Sequence, residues 1–133
     1  MPALTRPALS LAALLALIAV VTGAFGSHGL EHQLEARDTL DSWRIGVRYA
    51  MWHALALLAW AAARESTKAN LGGRWVLIPF VLGSLLFSGS IFALALGGPG
   101  AILGPITPLG GVLLIVGWSR LLVAGLTYQG AKS

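Results

Sequence analysis

Four long apolar stretches constrain this chain more than any other feature of its sequence. They run over about residues 8–26, 45–63, 75–96 and 108–126. Crossing the hydrocarbon core of a bilayer takes about 20 helical residues. Because backbone groups in lipid must hydrogen-bond within the protein, each stretch is predicted to be a transmembrane helix. The predicted fold class is therefore all-α, an integral membrane four-helix bundle that forms a single membrane domain over residues 1–133.

The composition is typical of an integral membrane protein. Charged residues make up 11% of the chain, against about 25% in soluble domains. The net charge of +4 comes without a basic run, because Arg64, Lys68 and Arg74 are spread over one connection. Nucleic acid is therefore not an expected partner. The expected partners are the lipid bilayer and either another membrane protein or a second copy of the chain.

The first span has an alternative interpretation as a secretory signal peptide. Arg6 would be its basic start, and the small residues around 22–24 would be its cleavage site. Its apolar run is longer than the roughly 7–15 residues of a signal core. We therefore expect the first span to be retained.

Two connections carry further predictions. Asp38 and Asp41 resemble an N-terminal cap, so the second helix is expected to begin before the membrane as an amphipathic lead-in. The last connection, residues 97–107, is uncharged and rich in Gly and Pro. It is expected to lie in the interface or dip into the bundle, with Thr107 and Pro108 starting the fourth helix.

The distribution of Lys and Arg predicts the orientation. One side of the bundle holds six of them, and the other holds three. The two sets are Arg6, Arg64, Lys68, Arg74, Arg120 and Lys132 against Arg37, Arg44 and Arg48. The positive-inside rule therefore favours both termini in the cytoplasm. Trp43, Trp60, Trp75 and Trp118 fall near the ends of spans, as in an aromatic belt.

Seven polar residues are predicted to gather in the non-cytoplasmic half of the bundle, and they form the candidate ligand-binding cluster. They are His28, Arg48, Tyr49, His53, Ser88, Ser90 and Thr107. His53 is placed about 7 Å inside the membrane when counted from Arg48. An ionisable residue within a span is a functional-site hypothesis. The structural alternative is that Arg48 snorkels to the interface and that His53 hydrogen-bonds a serine or threonine of another helix.

Metal and cofactor sites are not predicted. The chain has three histidines and no cysteine, and no carboxylate lies within a span. Zinc usually takes three or four protein ligands. His28 and His32 are four residues apart, but no supporting motif for metal or heme accompanies them.

Several short motifs resemble a small family of bacterial membrane proteins. They are residues 23–30 (GAFGSHGL), 48–49 (RY), 53–58 (HALALL), 87–90 (FSGS), 106–111 (ITPLGG) and 117–118 (GW). The family is domain of unknown function 423, also called uncharacterised protein family 0382, and it is similar to the eukaryotic transmembrane protein 256. Ala50 departs from its pattern, which often has a polar residue there. The resemblance implies a four-span protein of the bacterial inner membrane and supplies no catalytic residues.

Three functions are compatible with these features. The favoured hypothesis is a non-enzymatic bundle that scaffolds or modulates a membrane complex. The alternative is a small transporter or channel subunit with a polar vestibule in the non-cytoplasmic half. The third hypothesis, a lipid-acting enzyme with Ser88 or Ser90 as nucleophile and His53 as base, lacks an acid to orient the histidine.

Overall fold

The structure is a computed structural model that describes residues 3–130, and it contains five helices. They are α1 Thr5–Ser27, α2 Glu31–Ala36, α3 Leu40–Thr67, α4 Arg74–Ala95 and α5 Gly100–Thr127. All except the short α2 are long and apolar enough to cross a membrane. This confirms the predicted fold class, with α1, α3, α4 and α5 as the four spans. Lys132 lies outside the described residues.

The four long helices pack in a row. α1 packs along α3, α3 packs along α4, and α4 packs along α5, while α1 touches α4 only locally. The extensive contacts of α5 are with α4 alone. The bundle is therefore open on the side where α3 and α5 face each other across α4.

Alanines build the contact between α1 and α3. Ala8, Ala12 and Ala19 on α1 are almost fully buried, as are Ala54 and Ala61 on α3. Apolar side chains gain little by leaving lipid for protein, so membrane helices associate where small residues let their backbones approach. The larger core side chains fill the space around these alanines, and they are Leu15, Leu57, Trp60, Val76, Leu77 and Phe80.

Glycines build the contact between α4 and α5. A Cβ atom added to Gly110 would lie 2.9 Å from Cα of Phe87 and closer still to its amide nitrogen. A Cβ atom on Gly83 would lie 3.0 Å from the carbonyl oxygen of Gly110. The two backbones are therefore in direct contact, and no larger residue fits between them without moving a helix.

The predicted start of the fourth helix is wrong. α5 begins at Gly100, so Thr107 is not an N-cap, and Pro105 and Pro108 lie inside the helix. Pro99 occupies the N-cap, and the turn before it is made by Gly97, whose φ of +92° suits glycine. Proline is tolerated inside transmembrane helices because neighbouring groups compensate for the lost backbone bond. The connection expected in the interface is thus a tight turn followed by about two turns of helix, residues 100–107, which the two prolines had suggested were not helical.

The predicted lead-in of the second span is confirmed, with a different cap. α3 begins at Leu40, five residues before the predicted span, and Asp41 lies in its first turn. The N-cap residue is Thr39, whereas Asp38 has a left-handed φ of +56°. The Thr39 hydroxyl donates to the carbonyl of Ala95 at 2.9 Å. This hydrogen bond therefore links the start of α3 to the end of α4.

At the opposite end of the bundle, Arg64 links α3 to the connection that follows it. Its side chain is buried, lies 4.9 Å above the ring of Trp60 and donates to the backbone carbonyl of Asn70 and, at 2.9 Å, to its side-chain oxygen. The indole of Trp60 donates to the carbonyl of Leu71 at 2.8 Å. This arginine therefore holds the connection between α3 and α4 against the end of α3.

Candidate functional site

The seven residues of the predicted polar cluster do not form one site. Tyr49 and His53 lie together on α3, and Ser90 of α4 meets Thr107 of α5. The other three residues lie elsewhere, as described below. The structure therefore separates an aromatic site around His53 from a set of hydroxyl groups between helices.

His53 lies at the middle of α3. It follows Leu40 by thirteen residues, which is about 20 Å of helix. Because Thr39 is hydrogen-bonded to Ala95, the first turns of α3 already lie beside the end of α4. With 5% of its surface exposed, His53 is a buried residue at mid-depth in the bundle.

Both ring nitrogens of His53 are hydrogen-bonded within the protein. Nδ1 lies 2.8 Å from the carbonyl oxygen of Tyr49, and Nε2 lies 3.1 Å from the indole nitrogen of Trp118. A carbonyl only accepts and an indole N–H only donates. The imidazole must therefore donate through Nδ1 and accept through Nε2, which makes it neutral and fixes its tautomer. His53 links α3 to α5 across the open side of the row.

Aromatic rings surround this hydrogen bond. The ring of Phe80 lies 5.5 Å from His53 and 4.9 Å from Trp118, and the ring of Tyr49 lies 4.5 Å from Phe87. Aromatic pairs at these separations attract each other beyond the area they bury. The side chains of α3 and α5 that reach across the gap are thus supported by two phenylalanines of α4.

An open groove of about 560 Å³ lies between α3 and α5, with α4 as its floor. We call it the central groove, and its walls include Tyr49, His53, Phe87, Gly111, Ile115 and Trp118. The side chains of Ile115 and Trp118 are 66% and 48% exposed, so the groove opens to the surroundings of the bundle. Its lining is mostly apolar. Such a surface suits an apolar molecule rather than a charged one.

The hydroxyl groups of the predicted cluster bond to neighbouring helices or to their own backbone. Ser88 donates to the carbonyl of Gly46 on α3 at 2.7 Å. Ser90 donates to the carbonyl of Phe87 at 3.0 Å, and its oxygen lies 2.6 Å from that of Thr107. Since the Ser90 proton is engaged, Thr107 is the donor of that second bond. These bonds join α4 to α3 on one side and to α5 on the other.

Arg48 and His28 lie away from the central groove. Arg48 is exposed and lines a small pocket of about 160 Å³ between α1 and α3, beside Gly23 and Trp43. Consecutive residues of a helix point about 100° apart, so Arg48 and Tyr49 face different sides of α3. His28 is exposed at the end of α1. Within residues 3–130 no group of three or more His, Cys, Asp or Glu side chains could hold a metal ion.

The sequence did not identify Trp118, Phe87 and Gly111 as residues of the site. Trp118 had been assigned to an aromatic belt, yet it lies nine residues before the end of α5 and bonds His53. The available signal was spacing, because Gly111, Ile115 and Trp118 recur at four and seven residues and so share one face of a helix.

Comparison with known proteins places the chain in a family. The family model described as "Protein of unknown function (DUF423)" matches residues 22–111, which include all seven residues of the predicted cluster. A UPF0382 membrane protein of Staphylococcus saprophyticus is 46% identical over 113 residues, covering 85% of this chain and 91% of that protein. One of Bacillus subtilis is 40% identical over 122 residues, covering 89% and 94%.

The similarity extends beyond bacteria. A UPF0382 membrane protein of Schizosaccharomyces pombe is 39% identical over 118 residues, covering 86% of this chain and 97% of that protein. No solved structure matches the chain. The resemblance seen in the sequence is confirmed, and the chain belongs to the DUF423 family, whose relatives described here are named UPF0382 membrane proteins.

Proposed function

We propose that this protein is a non-enzymatic membrane protein whose bundle scaffolds or modulates a larger membrane complex. The observation that carries the proposal is the engagement of polar side chains inside the helices. His53, Ser84, Ser88 and Ser90 all hydrogen-bond within the bundle. Catalysis and ion transport need polar groups that face a substrate or a water-filled path. Here His53, Ser88 and Ser90 join neighbouring helices, and Ser84 bonds the backbone of its own helix.

The surface that we propose for a partner is the outer face of α5. This helix lies at the end of the row. Of the residues in its most apolar 18-residue segment 17% are buried, against 44% in the corresponding segment of α4. Val112 and Val123 are exposed on the same face of α5, since eleven residues make about three turns. A partner helix packing there would be held by van der Waals contact, as is usual in lipid.

Purification in a mild detergent tests this proposal. The tagged protein is expected to recover the same membrane protein reproducibly. A variant carrying Val112→Trp and Val123→Trp is expected to lose it, because both tryptophans project from the proposed face. Leu17→Trp, at an exposed position on α1, is the matched control and should retain the partner. Recovery of the protein without partners, or equal loss in the control, would contradict the proposal.

We further propose a bacterial inner-membrane location with both termini in the cytoplasm. Support comes from the described Lys and Arg residues, which are more numerous at the end of the bundle that holds Arg6, Arg64 and Arg74. The chain has no cysteine, so single cysteines can report sidedness. Pro99→Cys should react with an impermeant maleimide in intact spheroplasts, and Ser66→Cys only after permeabilisation. The reverse pattern would overturn the orientation.

The transporter and enzyme alternatives have less support. In the described part of the chain, neither Ser88 nor Ser90 is hydrogen-bonded to His53, and the imidazole is held by Trp118. A transport role for His53 predicts that His53→Ala abolishes uptake or release in liposomes while the purified bundle stays folded. Unchanged transport in that variant would show that His53 has no role in transport and would contradict this alternative.

A further inference from the structure

The central groove lies within the membrane-spanning part of the bundle, and we propose that it binds one acyl chain of a membrane phospholipid. Its volume of about 560 Å³ falls in the range of about 300–1,000 Å³ that is typical of small-molecule sites. The proposal concerns α3, α4 and α5 alone. It holds or fails independently of the partner surface proposed on the outer face of α5.

The chemistry of the groove favours an apolar occupant. Both imidazole nitrogens of His53 are engaged, and the rest of the lining is mostly aromatic and aliphatic. An apolar chain in the groove would gain dispersion contacts with the rings of Tyr49, Phe87 and Trp118, which an empty groove would forfeit. At this depth the available apolar molecules are lipid chains and transmembrane helices.

The length of the groove distinguishes between those two occupants. Gly111 and Trp118 are seven residues apart, which is about 10 Å of helix. A transmembrane helix needs a surface approaching the full hydrocarbon thickness of about 30 Å. One leaflet contributes about half of that thickness, so the groove accepts most of a single chain lying along the membrane normal. We therefore assign it to an acyl chain and not to a partner helix.

The groove has a direction. Gly100 and Gly104 lie on the same face of α5 as Gly111, and a Cβ atom at either position would meet nothing within 4 Å. At the other end Trp118 projects into the gap and is held there by His53. The chain therefore enters from the end of the bundle where α5 begins, and its methyl end rests near Trp118.

Native mass spectrometry of the detergent-purified protein, supplied with phosphatidylglycerol of known mass, tests occupancy. The wild type is expected to retain one phospholipid per chain. Gly111→Leu should lose it, because the leucine fills the groove while its Cβ atom makes only ordinary contacts, the nearest at 3.8 Å from the Phe87 ring. Gly89→Leu is the matched control, since Gly89 is exposed on α4 and a Cβ atom there meets nothing within 4 Å. The control should retain the lipid.

Photolabelling tests the direction. Phosphatidylglycerol with a diazirine near the chain terminus should label Ile115 or Trp118, and one with a diazirine near the ester should label residues 100–107. Both signals should disappear in Gly111→Leu and persist in Gly89→Leu. The labelled peptides are identified after digestion of protein reconstituted in bilayers.

Three outcomes would overturn the proposal. The first is a wild type that retains no lipid, or that retains equal amounts in both leucine variants. The second is labelling spread over exposed residues of all four spans regardless of where the diazirine is placed. The third is crosslinking of the groove residues to another protein chain, which would replace the lipid with a helix.

Discussion

Gly110 and Gly111 are adjacent in sequence and lie on two very different sides of α5. Gly110 is buried against α4, where an added Cβ atom would press on the backbone of Phe87. Gly111 lines the central groove, where the nearest atom to such a Cβ lies in the ring of Phe87, 3.8 Å away. Glycine thus allows close backbone contact with α4 at position 110 and leaves open space in the groove at position 111.

The difference shows what closes a helix interface in lipid. On the α4 side, Gly83 and Gly110 face each other and allow backbone contact. On the groove side, Gly111 lines the central groove together with Tyr49 and Trp52 and makes no such backbone contact. Lipid chains are as apolar as the side chains, so nothing forces such a gap to close. In this bundle, α4 and α5 reach backbone contact where two small residues, Gly83 and Gly110, face each other.

The largest effect that we predict comes from Gly110→Ala. The added methyl group collides with the backbone of α4, which cannot rotate away as a side chain can. We expect a loss of about 3 kcal/mol in the free energy of unfolding, the upper end of the usual penalty for overpacking. Unfolding in mixed detergent and dodecyl sulfate micelles, followed by circular dichroism, measures it.

Gly111→Ala is the neighbouring control for that substitution. Its methyl group points into the central groove, so the free energy of unfolding should not fall and should rise by up to about 1 kcal/mol, because alanine favours the helix over glycine. Equal destabilisation by the two alanines would mean that α5 is packed alike on both sides, and the comparison would fail.

The next prediction concerns the hydrogen bond between Trp118 and His53, which joins α5 to α3. Trp118→Phe removes the indole donor and leaves Nε2 of His53 without a partner. We expect a loss of about 1 kcal/mol, within the range measured for hydrogen bonds between membrane helices. A double-mutant cycle with His53→Phe should give a coupling energy of similar size. Coupling below about 0.3 kcal/mol, the usual limit of additivity, would show that the bond does not stabilise the fold.

The sequence predicted the parts of the fold that depend on hydropathy and missed the parts that depend on neighbours. The spans and the early start of α3 follow from runs of apolar residues and from Asp41 in a first turn. The start of α5 was misplaced because Thr107 and Pro108 have the composition of a helix start, whereas Pro99 supplies the real one. Local patterns cannot choose between two such candidates.

The same limit explains the candidate site. Depth counting grouped seven polar residues by height along the membrane, but height does not specify which side of a helix faces which neighbour. Arg48 and His28 therefore lie outside the groove, although they were predicted in the cluster. Trp118 lies in it beside His53, from which it is separated by 65 residues of sequence. A row of helices, in contrast to a closed bundle, could not be inferred from the spans alone.

The smallest effect that we predict concerns the hydroxyl pair on the closed side. Ser90→Ala and Thr107→Val each remove one partner of the 2.6 Å bond between α4 and α5. Because the backbones are already held together by Gly83 and Gly110, each substitution should lower the free energy of unfolding by about 0.6 kcal/mol, the average for such bonds in membranes. The coupling energy between the two should be smaller than that between His53 and Trp118, since the latter bond joins helices that have little other contact. A larger coupling on the closed side would reverse this ranking and show that α4 and α5 depend on the hydroxyl pair more than on their glycines.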